Sequence, residues 1–489
     1  MTYITLKEKI LYRMIFFPEI ILKNYLIYGI IKKMKKKGIR SMKNIFCIDK
    51  YTVAMCDPKM INSVVKRLWS GFCFMHSEIR MIEGDKNIFR IGTTEIPTLP
   101  ADKEYALRVD ENGVSIIGNS FGGLMRGFMT LILKIEMNNE KLTVKSCDET
   151  DNYKIKNRMA HICVFHDDDM YFIKKLVRVL AVCQFTHVVI EFWGMLKYDC
   201  LKELSWPEAF SKSEVRQLIK EVRQLGMEPI PMSNQLGHAS SARGCYGKHV
   251  VLDQNLALQD LFTPDGWAWN IRSKKVFNLL RDMRFELYDL FGDGEYIHIG
   301  FDEAYYYSHN EKDRKLLPEY INKITTQVAA EGRSPMLWMD MFLEKGAFEG
   351  CYSACPKEDV EKMISALHPL SVAVDWQYWN TNVPITSLDF LNSKGLDVIG
   401  APWLNPNNQK AVIDTIVNGN MFGIMLTTWH TLKNEYTGLL ECSKALGAST
   451  VPWAEYSPIG MQLATILRKV SFEGNTFEDS GWSKHEIET

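Results

Sequence analysis

From Lys156 onward the chain alternates short apolar runs with amphipathic stretches, and it does so eight times. The runs are Ala160–Phe165, Val188–Phe192, Glu228–Met232, Tyr296–Gly300, Pro335–Trp338, Ser371–Val374, Leu396–Gly400 and Phe422–Leu426. Between them lie stretches of helical periodicity, such as Tyr171–Cys183, Glu214–Leu225, Lys275–Leu290, Arg314–Ala330, Asp359–Leu367 and Ala411–Asn418. Apolar runs buried on both faces, each followed by a helix, are the mark of a parallel sheet. Eight such units in one stretch predict an α/β protein with a closed (β/α)8 barrel. The rival is an open doubly wound sheet, but no Gly-rich phosphate turn follows the first run.

Upstream, residues 45–150 read as a small α/β domain. Tyr105–Val109 and Gly113–Gly118 form two strands around the turn Glu111-Asn112-Gly113, and the bend Gly122-Gly123 opens a helix through Met125–Ile135. The polar stretch Leu142–Lys156 is the expected boundary, leaving a barrel over 156–450 and a C-terminal helix and tail over 451–489. Residues 1–44 form a basic N-terminal extension. Its apolar stretch Ile10–Ile31 is interrupted by Arg13, Glu19 and Lys23, which makes it a poor membrane span, and no signal-peptide cleavage pattern follows. It is read as dispensable, upstream of a natural start at Met42, with contact to an anionic membrane as the alternative.

Composition narrows the function. A formal net charge of -1 gives no reason to expect a nucleic-acid partner. Eleven cysteines without framework spacing argue for a reducing compartment and a cytoplasmic location. No CxxC pair or His/Cys cluster suggests structural zinc, so neither a metal nor a cofactor is expected. His166-Asp167-Asp168-Asp169 is read as acids capping a helix that begins near Met170, rather than as a cation site. Twelve Trp and twenty Tyr supply the flat faces that stack on sugar rings. Nothing in the residues specifies an oligomeric state.

In a barrel of this kind the chemistry lies at the C-terminal ends of the strands. Those ends carry His166-Asp167, Glu191-Phe192-Trp193, Asn234 to His238, Asp302-Glu303, Trp338-Met339-Asp340, Asp375 to Tyr378, Trp403 and Trp429-His430. Carboxylates, His and Trp with few Lys or Arg suit neutral polyhydroxylated rings; a phosphate site would need cations or bare amides. The adjacent pair Asp302-Glu303 is the strongest feature. Neighbouring charge and burial should raise the proton affinity of at least one member, so that one serves as an acid while the other stays ionised.

The run His298-Ile299-Gly300-Phe301-Asp302-Glu303 resembles the His-x-Gly-x-Asp-Glu signature of family 20 glycoside hydrolases, the β-N-acetylhexosaminidases. Arg126–Leu131 resembles the end of that family's small N-terminal domain, Pro229–His238 its third-strand loop, and Trp338–Met341 its Trp-Asp-Asp-Met. Val188–Trp193 looks closer to the hexosaminidase D branch, and the likeness spans roughly residues 90–430. It implies a retaining exo-enzyme acting on N-acetylhexosamine-terminated glycans, in which the substrate's own 2-acetamido oxygen attacks; family 20 is an exception to the two-carboxylate scheme. By carry-over, Asp302 orients the acetamido group and Glu303 is the general acid and base. Arg158 would hold sugar hydroxyls, Trp338, Trp376 and Trp429 would wall the pocket, and Glu191 and Trp403 are further substrate-binding candidates. Tyr378 would donate to the acetamido carbonyl with Asp340 alongside, and His238 would hydrogen-bond near the acid.

The chain departs from the family pattern in three places. Leu404 rather than Tyr follows Trp403, Trp429-His430-Thr431 lacks the usual Glu, and the second strand ends in Glu191 instead of His-x-x-Asp-Asp. These changes leave gluco and galacto preference open. They also keep two other readings in view, a carbohydrate-binding barrel without catalysis and a metal-assisted hydrolase using His166, Asp167, His238 and Asp302.

Overall fold

A computed structural model describes residues 44–48, 53–56, 80–83, 88–92, 99–100, 102–138, 141–166, 168–239, 250–351 and 353–429, with a few positions between 439 and 447. Residues 1–43 of the basic extension, Asp167, His430 and the segment 451–489 lie outside the described residues.

Among the described residues, the N-terminal region forms two sheets and one helix. Strands β1 (Ile45–Ile48), β7 (Glu136–Asn138) and β8 (Lys141–Lys145) make a three-stranded sheet in the order β1-β8-β7. Strands β2 (Val53–Cys56), β3 (Arg80–Glu83), β4 (Ile88–Gly92), β5 (Tyr105–Asp110), β6 (Gly113–Gly118) and β9 (Cys147–Thr150) make a six-stranded sheet in the order β3-β2-β4-β6-β5-β9. The expected β5–β6 hairpin is present, with the Asp110 carboxylate accepting from the amide of Asn112 at 2.7 Å inside its turn. Helix α1 (Phe121–Lys134) starts at Ser120, whose hydroxyl accepts from the Gly123 amide, the usual N-cap arrangement. It begins four residues earlier than Met125 because Gly122 and Gly123 belong to its first turn rather than to a bend before it.

The barrel closes as expected. Its strands are β10 (Asn157–Cys163), β11 (His187–Glu191), β12 (Glu228–Met232), β13 (Tyr296–His298), β14 (Ser334–Trp338), β15 (Val372–Trp376), β16 (Asp397–Ala401) and β17 (Gly423–Leu426). All neighbours pair in parallel, and β17 returns to β10 with Asn157 opposite Gly423. Strand alternation sorts the residues into two cores. Met159, Val189, Ile230, Met336, Val374, Ile399 and Met425 point to the barrel axis, while Ala160, Ile162, Val188, Ile190, Leu337 and Val398 pack outward against helices. Among those helices are α2 (Met170–Val182), α3 (Lys212–Gln224), α4 (Lys274–Phe291), α5 (Leu317–Ala330), α6 (Lys357–Ser365), α7 (Thr386–Ser393) and α8 (Pro406–Asn418).

Two differences from the sequence reading have local causes. Helix α5 starts at Leu317 rather than Arg314, since Pro318 is favoured in a first turn and cannot donate within a helix already under way. Helix α7 has eight residues, too few for its periodicity to stand out before folding. As expected, Asp169 caps α2, its carboxylate accepting from the Phe172 amide at 2.7 Å.

Candidate active site

The residues that follow the C-terminal ends of the strands converge on one face of the barrel. Strand β13 ends at His298, and the chain then leaves the sheet through a contorted turn. Gly300, Phe301 and Glu303 have φ of 70°, 91° and 49°. Gly300 is required there, since a β-carbon would lie 2.2 Å from Asn234 Oδ1. Left-handed φ at Phe and Glu costs about 1–3 kcal/mol each and persists only where surroundings impose it. The surroundings do so: the Glu303 amide donates to Asp340 Oδ2 at 2.9 Å, and the Glu303 carbonyl accepts from the Trp267 indole N–H at 2.7 Å.

This turn delivers two carboxylates of different exposure. The Asp302 side chain is 9% exposed and that of Glu303 29%, so Asp302 lies deep and Glu303 faces the opening. His238 bridges them, with Nε2 at 3.2 Å from Asp302 Oδ2 and at 3.2 Å from Glu303 Oε2. The imidazole is sandwiched between Trp193, stacked at 5.8 Å, and Trp267, tilted at 4.5 Å. Trp193 and His238 also hold positive φ, at 43° and 50°. Four non-glycine residues with left-handed backbone thus stand at this end of the barrel.

The electrostatics divide the roles in an unexpected way. Burial alone would strip the proton from His238, but the charge of Asp302 and hydrogen bonds to both carboxylates outweigh it and push the pKa well above the ordinary value. Glu303 moves the other way. Burial would raise it, but the hydrogen bond and charge of His238, with a hydrogen bond from Tyr305, hold its pKa below the usual carboxylate range. For Glu303 the direction is opposite to that expected of an acid held protonated by burial and neighbouring charge, while His238, one hydrogen bond away, is held toward its protonated form. Two carboxyls at the strand ends are pushed upward, Asp340 to about 7 first by burial and then by the charge of Asp302, and Asp375 to about 7 by burial. Asp340 Oδ2 also accepts from the Ser353 hydroxyl.

Aromatic rings complete the face. Trp376 stacks on Tyr378 at 5.1 Å, and Trp403 tilts against Tyr378 at 5.5 Å. The Tyr378 hydroxyl accepts from the Trp429 indole N–H at 3.1 Å, and burial drives its pKa well above the ordinary value. Trp376, Tyr378, Trp403 and Trp429 are half-buried at the rim. Trp338 differs from its expected place in the wall. It is fully buried beneath the rim against His298 at 4.5 Å, in the axial core, so it forms floor rather than open wall. Glu191 is 1% exposed and accepts from Asn234 Nδ2 at 2.6 Å, from the Trp193 indole and from His161 Nε2 at 3.1 Å. It sits under the face rather than on it.

Arg158 is the one expected site residue found at the wrong end. It is the second residue of β10, so it lies at the N-terminal mouth of the barrel, 1% exposed. There its guanidinium pairs with Glu104 at 3.2 Å, donates to the carbonyls of Gln184 and Ile155, and lies 3.7 Å over the Tyr153 ring. Its position at the start of the strand, with its guanidinium engaged by Glu104 and two carbonyls, keeps it away from the carboxylate pair. Of the metal-assisted set, Asp167 lies outside the described residues, and among the described ones His166, His238 and Asp302 do not form a group that could hold a metal ion.

Sequence reasoning missed Trp267, Tyr305, Ser353 and Trp379. Trp267 and Ser353 arrive on loops far from the strand ends, and no spacing announces them. Tyr305 stands two residues after Glu303 and had a positional signal. Trp379, 71% exposed, meets Trp403 edge-on at 6.4 Å and extends the aromatic row outward.

Comparison with known proteins bears on the same region. The family model for "Glycosyl hydrolase family 20, catalytic domain" matches residues 191–459, more than half of the chain. A β-hexosaminidase of Porphyromonas gingivalis is 26% identical over 233 residues, which cover 42% of this chain and 30% of that relative's length. Among solved structures, the β-N-acetylhexosaminidase of Bacteroides fragilis superposes with a TM-score of 0.61 at 14% identity, covering 83% of this chain and 88% of that one. The exo-β-N-acetylglucosaminidase of Vibrio harveyi in complex with N-acetylglucosamine gives 0.59 at 14% identity, covering 86% and 74%. These likenesses establish the shared fold.

Proposed function

The chain belongs to glycosyl hydrolase family 20, and from that premise we propose that it is a retaining exo-β-N-acetylhexosaminidase that removes terminal N-acetylhexosamine from glycans by substrate-assisted catalysis. The observation that carries the reading is the pair Asp302-Glu303, one deep and one open, bridged by His238. Asp302 suits the acetamido group, which must lie buried to attack the anomeric carbon from within the pocket. Its charge stabilises the positive charge that develops on the acetamido nitrogen, and Tyr378 can orient the carbonyl from the facing strand.

Glu303 suits the leaving oxygen, because its greater exposure places it where the aglycone departs. The proton it needs is supplied by His238 at 3.2 Å, and Glu303 as carboxylate then activates water. Attack by the acetamido oxygen and then by water inverts one carbon twice, so configuration is retained. Holding the nucleophile within the substrate itself contributes through proximity, the strongest effect in such intramolecular reactions. The row Trp376, Tyr378, Trp403 and Trp379 leads from the pocket outward and offers faces to a glycan rather than to a small alcohol.

The test is Glu303→Gln. Release of nitrophenol from aryl N-acetylglucosaminides and N-acetylgalactosaminides is expected to fall about 10²–10⁴-fold with the circular dichroism unchanged. A thiazoline mimic of the cyclic intermediate should inhibit the native protein. An unaltered rate in the variant, or indifference to the thiazoline, would sink the assignment. Turnover of the paired substrates reads out sugar preference in the same experiment.

A further inference from the structure

Below the carboxylate pair the barrel axis holds a second set of ligand-type side chains. His161 and Cys163 stand two residues apart on β10, so strand alternation turns both toward the axis. Cys163 is the register partner of Glu191 on β11. One ligand atom from each of His161, Cys163 and Glu191 lies within 4.8 Å of the other two, and the residues are 0%, 0% and 1% exposed. We propose that these three side chains bind one divalent cation of the zinc class, tying β10 to β11 beneath the sugar pocket.

Geometry comes first. His161 Nε2 and Glu191 Oε2 are 3.1 Å apart. Zinc–ligand bonds of about 2.0–2.3 Å in a tetrahedron set ligands about 3.3–3.8 Å from one another, so the pair needs to part by only a few tenths of an ångström. Charge points the same way. Three other buried carboxylates sit against guanidinium groups, Glu221 on Arg178 at 2.7 Å, Glu331 on Arg284 at 2.6 Å and Asp359 on Arg314 at 2.7 Å, whereas Asp340 and Asp375, which have none, are pushed up to about 7 by burial. Among the described residues Glu191 has no Lys or Arg within ion-pair distance, and its one charged-type partner is His161. A dication facing the Glu191 carboxylate and the Cys163 thiolate makes a neutral set, which is what a dry interior favours.

The surroundings are arranged for a ligand as well. Asn234 Nδ2 and the Trp193 indole both hold Oε1 of Glu191, leaving Oε2 turned toward His161. Outer partners of this kind orient metal-binding carboxylates. Binding displaces one proton from the Cys163 thiol to solvent. It also moves the imidazole proton of His161 from Nε2 to Nδ1, an atom with no hydrogen-bond partner among the described residues. The mixed nitrogen, sulfur and oxygen donors select a borderline-soft cation over magnesium or calcium. Three protein ligands leave a fourth position for water. Sequence spacing hid this site, because a His-x-Cys pair on one strand and a Glu on the next follow no metal-binding motif.

Cobalt(II) is the probe. Full-length protein, chelated and then freed of chelator, is expected to bind one equivalent of Co2+ with a thiolate-to-cobalt band in the near ultraviolet, which added Zn2+ removes. Cys163→Ser should abolish the band, and Glu191→Gln, which keeps the side-chain shape, should weaken Zn2+ binding about tenfold or more. Circular dichroism establishes that each variant is folded. Where Cys163→Ser does not fold, His161→Gln and Glu191→Gln carry the same comparison. Absence of the band in the native protein overturns the proposal, and so does a band that persists in Cys163→Ser. Because no turnover is measured, the outcome is separate from that of the hydrolase reading.

Discussion

His238 is the residue on which proton traffic in the site depends. Its imidazole stands between two carboxylates, and its pKa stands well above the ordinary value because Asp302 and Glu303 overcome the cost of burial. A group with a raised folded-state pKa keeps its proton, and the stability that goes with it, below the unfolded value of about 6.5, and loses both as pH rises through the folded value. On the proposed function, the alkaline limb of kcat/KM in the native protein is therefore expected to report loss of the His238 proton. In His238→Gln the proton has to sit on a carboxyl, so the alkaline limb should move down by at least about one pH unit while the rate at the optimum falls. A pH profile on an aryl glycoside checks this, and an unmoved limb would show that the proton comes from elsewhere. That Asp302 and Glu303 form the pair was readable from the sequence. That His238 is held toward its protonated form, and that Asp340 is raised to about 7, was not, because both depend on distances across three different strand ends.

At the scale of elements, the eight apolar runs were legible because axial and outward residues alternate in every barrel strand, leaving no polar face. The rim residues were legible for the same reason, once the strand ends were located. Arg158 was misplaced because a residue at the beginning of β10 is separated from the face by the length of the strand, a direction that motif order does not encode. Loop contributions such as Trp267 and Ser353 were illegible, since their neighbours are fixed by tertiary packing. The tightest junction is between the loop after β12 and the turn after β13. A β-carbon on Gly237 would lie 1.9 Å from the Asp302 carbonyl oxygen, a backbone atom that cannot swing aside. Gly237→Ala should therefore displace the carboxylate pair, and a shift of about 1 Å is worth roughly 10²-fold in rate. The expected result is a folded barrel by circular dichroism with that loss in kcat; native activity would mean that the loop after β12 yields instead.

The whole molecule separates its labours between two ends. At the N-terminal mouth of the barrel, Glu104 joins Arg126 of α1 and Arg158 of β10. Burial would raise the Glu104 pKa, but Arg158 and then Arg126 outweigh it and hold it below the usual value. Its contribution is thus present above the unfolded carboxylate pKa and fades as pH falls through the folded one. Arg158→Met should cost about 3 kcal/mol of stability, read from denaturant unfolding at neutral pH, with KM unchanged. A raised KM with native stability would return Arg158 to the sugar site. At the other end the backbone is contorted, with Trp193, His238, Phe301 and Glu303 all at left-handed φ. The consequence reaches laboratory evolution. Selection for heat tolerance alone will favour substitutions that relax those four positions, and libraries screened without a turnover assay should drift toward sturdier proteins that no longer cut.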